Sequence, residues 1–361
     1  MDKITFILPG SGHQPVGGFK IIYEYANRIV DQGHMVSIVH PALLVHDTPL
    51  LVRPKKWLRY FQRRVNASYM PTNWFSIDSR VKILWVPYLD AKFIPESDVI
   101  IATAWQTAEW VAKYPKPKGR KYYLIHDYEH YMTADSKTRQ RIKETFRSGM
   151  CNIVTSPAGV EMLRSCGAEV NVYVPNGIDF NVFKLNMHIE SKERKLIGFP
   201  SRSEEFKGTR DAIAALSILH DKLGVEFTAW SFGRSKLNYM PNWIKYHHQP
   251  NDEFLCGLYN SSAIFITASH YEGWGLPGAE AMACGAALVS TEHGGIRAYA
   301  EHEKTALLSP AKDVGSLTDN IYRLISDIDL RHKIARAGYE HIQKFTWDLA
   351  TSSILKALLI H

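Results

Sequence analysis

Apolar positions change period twice within the first forty residues. The run Ile4 to Leu8 is unbroken, as in a strand buried on both faces. A glycine-rich loop from Gly10 to Gly18 follows, and from Phe19 to Gln32 apolar residues recur at helical spacing until Gly33 stops them. Met35 to Val39 then supplies a second strand, so the chain opens as a βαβ unit, which requires a parallel sheet. The runs Val81 to Val86, Val99 to Ala102, Tyr122 to Ile125, Asn152 to Thr155 and Val170 to Val174 predict further strands of that sheet. After Pro175-Asn-Gly-Ile-Asp179 the chain turns polar and aperiodic through Lys195, which predicts an interdomain linker. A second series follows at Leu196 to Phe199, Glu226 to Phe232, Trp243 to Tyr246, Ala263 to Thr267 and Ala287 to Ser290, with helices that include Thr209 to Leu223 and Gly278 to Cys284. The expected fold is therefore α/β, two doubly wound Rossmann-like domains covering 1–183 and 184–345, with the active site in the cleft between them, outside the carboxyl ends of the strands.

Composition narrows the classes. At 361 residues, 45% of them hydrophobic, the chain is long enough for two cores. A net charge of +7 favours anionic partners, among them nucleotides, lipid headgroups, polyanions and nucleic acid. No helix-turn-helix, zinc-finger or RNA-binding signature accompanies that charge, which sets nucleic acid aside. The four cysteines, Cys151, Cys166, Cys256 and Cys284, lie far apart in sequence without a C-x-x-C pair, so neither a zinc site nor a disulfide framework is expected and a reducing cytoplasm fits. The apolar run at the amino terminus ends at Pro9-Gly10, too short for a signal peptide or membrane span.

Four segments carry chemistry. In Glu272-Gly-Trp-Gly-Leu-Pro-Gly-Ala-Glu280 two carboxylates flank a glycine and proline loop directly after an apolar strand. Pro277 suits the first position of a helix, which would put Glu280 in its first turn, and the amides of Gly273, Gly275 and Leu276 can approach a phosphate. The carboxylates accept hydrogen bonds from sugar hydroxyls, each worth about 1.5–3 kcal/mol. Alternatively, Glu280 complements a helix dipole and Glu272 is a solvated loop residue. Second, Arg202 and Lys207 follow the first strand of the second domain, where they could neutralise a departing diphosphate or pair with Glu204 and Glu205. Third, Gly10-Ser-Gly-His-Gln-Pro-Val-Gly-Gly18 departs from G-x-G-x-x-G, and Gly17 and Gly18 either allow close backbone approach to a phosphate or sugar or simply serve a tight strand-to-helix turn. Fourth, His126 and Asp127 stand at the end of a strand in Leu124-Ile-His-Asp-Tyr-Glu-His130, where His126 is either catalytic or structural.

Glu272 and Glu280 in this frame, Lys207-Gly208 with Arg202 upstream, Asn176-Gly-Ile-Asp179, Gly294-Gly295 and the early Gly17-Gly18 together resemble glycosyltransferase family 4, retaining enzymes of the GT-B fold, and the resemblance runs to about Phe345. It implies a hexose or deoxyhexose moved from a nucleotide-sugar donor, UDP-hexose by default, to a glycan or lipid-linked acceptor in polysaccharide or glycoconjugate assembly. The first domain would bind acceptor and the second donor. Glu280 would bind the donor ribose and Glu272 the sugar hydroxyls, with Arg202 and Lys207 on the diphosphate. Gly17 and Gly18 would cover that diphosphate, and His126 would lie near the anomeric carbon. A last helix from Thr346 to Ile360 would cross back to the first domain. No cofactor and no metal are expected, the nucleotide sugar being a substrate. The Gly-Gly turn carries Arg297 and Ala298 where the family often has a glutamate, and Glu301 is the next carboxylate. A non-catalytic donor-binding subunit and a sugar-nucleotide epimerase of the same fold are the rival readings.

One basic segment stands outside this pattern. No carboxylate occurs between Asp47 and Asp78, while Arg53, Lys55, Lys56, Arg59, Arg63 and Arg64 interleave with Trp57, Leu58, Tyr60 and Phe61. This suggests an anion-facing surface, either peripheral docking on the inner face of a membrane to reach a lipid-linked acceptor, or else a loop that binds an anionic glycan or nothing at all.

Overall fold

The computed structural model describes residues 1–44, 49–126, 128–222, 224 and 227–359. Chain contacts divide it into two compact units, the first comprising Met1–Thr155, Gly159–Asn176 and the chain from Trp347, the second Ser156–Ala158 and Gly177–Thr346.

In the first unit β1 (Lys3–Ile7), β2 (Met35–Pro41), β3 (Lys82–Val86), β4 (Val99–Ala102), β5 (Arg120–Ile125), β6 (Cys151–Val154) and β7 (Val172–Tyr173) form one sheet in the order β3-β2-β1-β4-β5-β6-β7. Every pairing is parallel, for example Phe6 with Ile38 and with Ile101. The helices are α1 (Gly17–Asp31), α2 (Arg53–Asn66), α3 (Trp105–Val111), α4 (Tyr128–Thr133), α5 (Ser136–Phe146) and α6 (Pro157–Ser165). Strand order reverses between β1 and β4, so the loops leaving those strands flank the switch point.

The second unit repeats the plan with β8 (Leu196–Pro200), α7 (Thr209–Ser217), β9 (Thr228–Gly233), β10 (Lys245–His248), α8 (Asp252–Ser261), β11 (Ser262–Thr267), α9 (Leu276–Ala283), β12 (Ala287–Thr291), β13 (Leu307–Ser309), α10 (Val314–Ser326) and α11 (Ile328–Ile342). Its sheet runs β10-β9-β8-β11-β12-β13, all parallel, with the switch point between β8 and β11. Alternation along β11 builds two cores: Ile264 and Ile266 pack with Leu216 and Ile321, while Phe265 packs with Tyr259 and Met282 on the other face.

The last helix, α12 (Trp347–Leu359), belongs to the first unit: Trp347 meets Tyr25 of α1 edge-on at 5.1 Å, and the Leu358 carbonyl accepts from Arg120 Nη2 at 3.0 Å and from Tyr122 at 3.2 Å. The expectation extended this helix to Ile360, which lies outside the described residues, as do Asp47, Leu223, Glu226 and Asp127.

Several expectations are corrected. α1 starts two residues before Phe19, because the Val16 carbonyl already accepts from Phe19 and Lys20, so Gly17 and Gly18 are helical residues rather than loop. β10 lies two residues after the expected Trp243 to Tyr246, because Trp243 instead stacks on His220 at 4.4 Å. The polar stretch before Lys195 is no free linker. Phe183 and Ile189 are buried in the second unit, Asn260 fastens the backbone of Asn186 and Met187, and the buried Arg194 guanidinium donates to the carbonyls of Met187, His188, Ser262 and Cys284. Backbone carbonyls thus replace the apolar periodicity that a sequence pattern detects. Cys256 and Cys284, distant in sequence, meet at 3.8 Å between Sγ atoms as free thiols. Three elements were not anticipated: β13, only three residues long, and the helices α10 and α11, which a single residue, Asp327, separates.

Candidate functional site

In the second unit the loops leaving β8 and β11 lock together by backbone. Gly208 holds φ at +61°, and a Cβ there would sit 1.8 Å from the Ala268 carbonyl oxygen, so only glycine permits the contact. The amide of His270 donates to the Phe206 carbonyl at 2.7 Å, and His270 Nε2 meets Asp211 Oδ2 at 2.7 Å, tying both loops to α7. The loop after β12 adds the third wall. Gly295 lies where a Cβ would meet the Glu272 carbonyl oxygen at 2.6 Å, and its amide donates to that oxygen at 3.2 Å.

This frame carries Lys207 to Glu272. Lys207 Nζ lies 2.8 Å from Glu272 Oε1, and Ser269 Oγ donates to Oε2 at 3.1 Å. Burial by itself would raise the Glu272 carboxyl, but the Lys207 ammonium, His293 and the hydrogen bonds from Lys207 and Ser269 outweigh it and hold the group below the usual carboxylate range. Both side chains keep part of their surface in solvent, 18% for Lys207 and 25% for Glu272. They form an accessible ion pair at the switch point.

Arg202, on the same loop as Lys207, is half-buried. Its Nη1 donates to the Ser201 carbonyl at 2.9 Å, its guanidinium lies 5.6 Å from the Phe232 ring centre, and its amide donates to Thr209 Oγ1 at 2.9 Å. Phe232 and the start of α7 thus hold it beside the ends of β8 and β9.

Gly275, at φ +96°, caps α9 without a side-chain hydrogen bond, and no acidic residue stands in the first turn. The amides there remain available to an anion. Leu276 is the first helical residue and Pro277 the second, so Glu280 falls beyond the first turn, a correction to the expected placement. Glu280 is nearly buried, at 6% exposure, and its Oε2 accepts from the Tyr259 hydroxyl at 3.3 Å. Tyr299 feels the charge of both glutamates: its hydroxyl donates to the Gly275 carbonyl at 2.7 Å, and burial, with the charges of Glu272 and Glu280 adding to it, pushes it well above the ordinary phenol range. Gly273, between Glu272 and buried Trp274, is half-exposed and supplies its backbone to Gly295.

His293 is a member of this site that the sequence reading missed. It ends the β12 loop immediately before Gly294-Gly295, and a polar residue leaving a buried strand was the available signal. Its Nδ1 accepts from the Ile296 amide at 3.3 Å, so Nε2 carries the proton, and that buried nitrogen has no partner among the described residues. Burial drives its pKa down to about 4, with Glu272 pulling upward and Lys207 downward. Glu301, the next carboxylate after the turn, is exposed and forms a surface ion pair with Lys304 three residues on.

In the first unit Gly17 and Gly18 open α1 behind Val16, again with no side-chain cap, and a Cβ on Gly18 would meet no described atom within 4 Å. His126 directly follows β5; its Nε2 is buried without a partner among the described residues, and burial lowers its pKa to about 4. The basic segment folds as α2, with Arg53, Lys55, Lys56, Trp57, Arg59, Arg63 and Arg64 on one helix. Among the described residues no three His, Cys, Asp or Glu side chains cluster in metal-binding geometry.

Residues 185–341 match the family model of glycosyl transferases group 1. Among curated proteins, the D-inositol 3-phosphate glycosyltransferase of Corynebacterium jeikeium is 27% identical over 207 residues, 53% of this chain and 49% of that protein. The O-antigen chain mannosyltransferase B of Escherichia coli is 30% identical over 116 residues, 32% of this chain and 30% of that one. The chain thus aligns with about half or less of the length of these relatives. Among solved structures, HepE of Anabaena in complex with UDP-glucose superposes with a TM-score of 0.76 at 19% identity, covering 99% of both chains. Sucrose-phosphate synthase of Thermosynechococcus elongatus gives 0.76 at 15% identity, covering 99% of this chain and 98% of that one. These likenesses identify the fold as GT-B.

Proposed function

We propose, from the match of residues 185–341 to the family model of glycosyl transferases group 1, that the chain is a retaining hexosyltransferase that uses a nucleotide sugar, UDP-hexose by default. The acceptor is a glycan or a lipid-linked sugar in polysaccharide or glycoconjugate assembly. The observation that carries the reading is the Lys207–Glu272 pair, 2.8 Å apart beside the uncapped start of α9. A sugar diphosphate needs both a cation with free amides and a hydroxyl acceptor within one ligand's length, and this loop cluster offers them together. HepE is solved in complex with UDP-glucose, which supports a nucleotide-sugar donor here, and the O-antigen chain mannosyltransferase B supports a glycan acceptor.

In the proposed reaction the bond between the anomeric carbon and the diphosphate oxygen breaks as the acceptor hydroxyl attacks from the same face. Its proton passes to the departing diphosphate, so configuration is kept. Lys207, Arg202 and the first amides of α9 stabilise the charge that grows on that diphosphate, without a bound metal. Gly17 and Gly18 at the start of α1 contribute further amides. Glu272 orders the sugar hydroxyls, Glu280 the ribose, and neutral His126 offers a hydrogen bond near the reacting carbon.

Turnover of a panel of UDP-, GDP- and dTDP-sugars, read alongside donor-induced thermal stabilisation, identifies the donor. Lys207→Ala and Glu280→Gln are expected to lose at least about 100-fold in transfer, roughly 2.7 kcal/mol of transition-state stabilisation, with melting temperature retained for Lys207→Ala. Near-normal turnover in both variants would overturn the assignment, and epimerisation of donor without acceptor would replace it with an isomerase.

A further inference from the structure

Helix α2 is turned inside out. A helix on a globular protein normally sets its apolar stripe against the core. Here Tyr60 is the buried residue, its ring stacked on Trp85 at 6.0 Å. Leu58, Phe61 and Val65, which share one face at i, i+3 and i+7, are 59%, 57% and 89% exposed. The turn before the helix continues the display with Leu50 and Leu51, 73% and 95% exposed.

The cations complete the pattern. Lys55 and Arg59 border the apolar stripe on one side and Arg64 on the other, all exposed, and the sequence from Pro49 to Ile77 contains no carboxylate. Arg63 instead turns inward, where its guanidinium donates to Ser11 Oγ and lies 3.0 Å from His13 Nε2. The inner, cationic side therefore holds the helix to the domain and presents the apolar side outward.

We infer that this face docks on an anionic lipid bilayer, with α2 lying in the interface plane. The helix has 14 residues, hence about 21 Å of length, too short to span a bilayer. Leucine, phenylalanine and valine side chains enter the acyl boundary while the bordering lysine and arginines meet phosphate headgroups, and Trp57 beside them suits the headgroup level. A soluble polyanion would satisfy the same cations but would leave the apolar stripe in water, so the bilayer accounts for both halves of the face and the polyanion for one.

Flotation of the full chain with phosphatidylcholine vesicles, with and without 30% phosphatidylglycerol, tests this independently of transferase activity. Binding is expected to be at least tenfold stronger with the anionic lipid at low salt. Leu58→Gln/Phe61→Gln is expected to lose tenfold or more, and Lys55→Gln/Arg59→Gln is expected to lose the preference for anionic lipid. Circular dichroism checks that both variants stay folded; these positions are exposed. Equal, negligible binding to both vesicles overturns the inference. So does binding that Leu58→Gln/Phe61→Gln leaves unchanged while heparin competes for it, which would assign the face to a soluble polyanion.

Discussion

His293 leaves β12 with a ring that is 1% exposed and a protonated Nε2 that donates to no described residue. Its pKa of about 4 lies below the ordinary value of 6.5, so between those two values the unfolded chain binds a proton that the folded chain does not. Stability contributed by the neutral ring is therefore complete above pH 6.5 and declines as pH falls toward 4, by up to about 3 kcal/mol for one wholly buried ring. His40, also buried and with a pKa of about 4, adds a slope of the same sign. Urea midpoints measured at pH 4.5 and 7 should differ less in His293→Gln than in the parent; equal differences would contradict the buried neutral ring. The sequence marked Glu272, Glu280, Lys207 and Gly208 because their residue types and spacing are unusual. His293 carried only the weak signal of a polar residue leaving a buried strand, and Tyr299 carried none, because their roles arise from backbone amides and from loops that meet only in three dimensions.

At the scale of elements, most strands of both sheets were legible, because buried parallel strands read as continuous apolar runs with glycine breaks at their carboxyl ends, whereas the order in which they pair, and with it the switch points, was not. Helix starts were less so. The rule that helices avoid glycine delayed α1 to Phe19, whereas the structure uses Gly17 and Gly18 as its first residues. That choice sacrifices helix propensity of up to about 1 kcal/mol per glycine, less at a terminus than in the interior. Gly18 has room for a methyl group, so Gly18→Ala should melt at or above the parent temperature. If the amides at the start of α1 lie against the donor diphosphate, as proposed, the same variant should raise the donor KM about tenfold or more. A parent-like KM would remove these glycines from the donor site. The basic segment was legible as cationic, but its reversed orientation was not, since a helical pattern shows that a stripe exists without showing which side meets the core.

On the scale of the whole molecule, the chain's end completes its beginning. α12 supplies Trp347 against Tyr25, with the Arg28 guanidinium 5.4 Å from the Trp347 ring centre, and caps the side chains of Arg120 and Tyr122. A chain ending at Phe345 should consequently lose stability in the first unit: limited proteolysis should cut α1 and the β5 region early while residues 185–341 persist. Protection of both units in the shortened chain would refute that dependence.

The Lys207–Glu272 contact has one more implication. An ammonium already neutralised by a carboxylate cannot serve a diphosphate at full strength until that carboxylate finds other hydrogen-bond donors, and sugar hydroxyls are such donors. A nucleoside diphosphate without its sugar would strand Glu272 next to fresh negative charge, whereas the intact donor would give both ions new partners at once. In the proposed reaction the pair would thus act as an exchange that favours the loaded nucleotide over the spent one, and so product departure after each transfer.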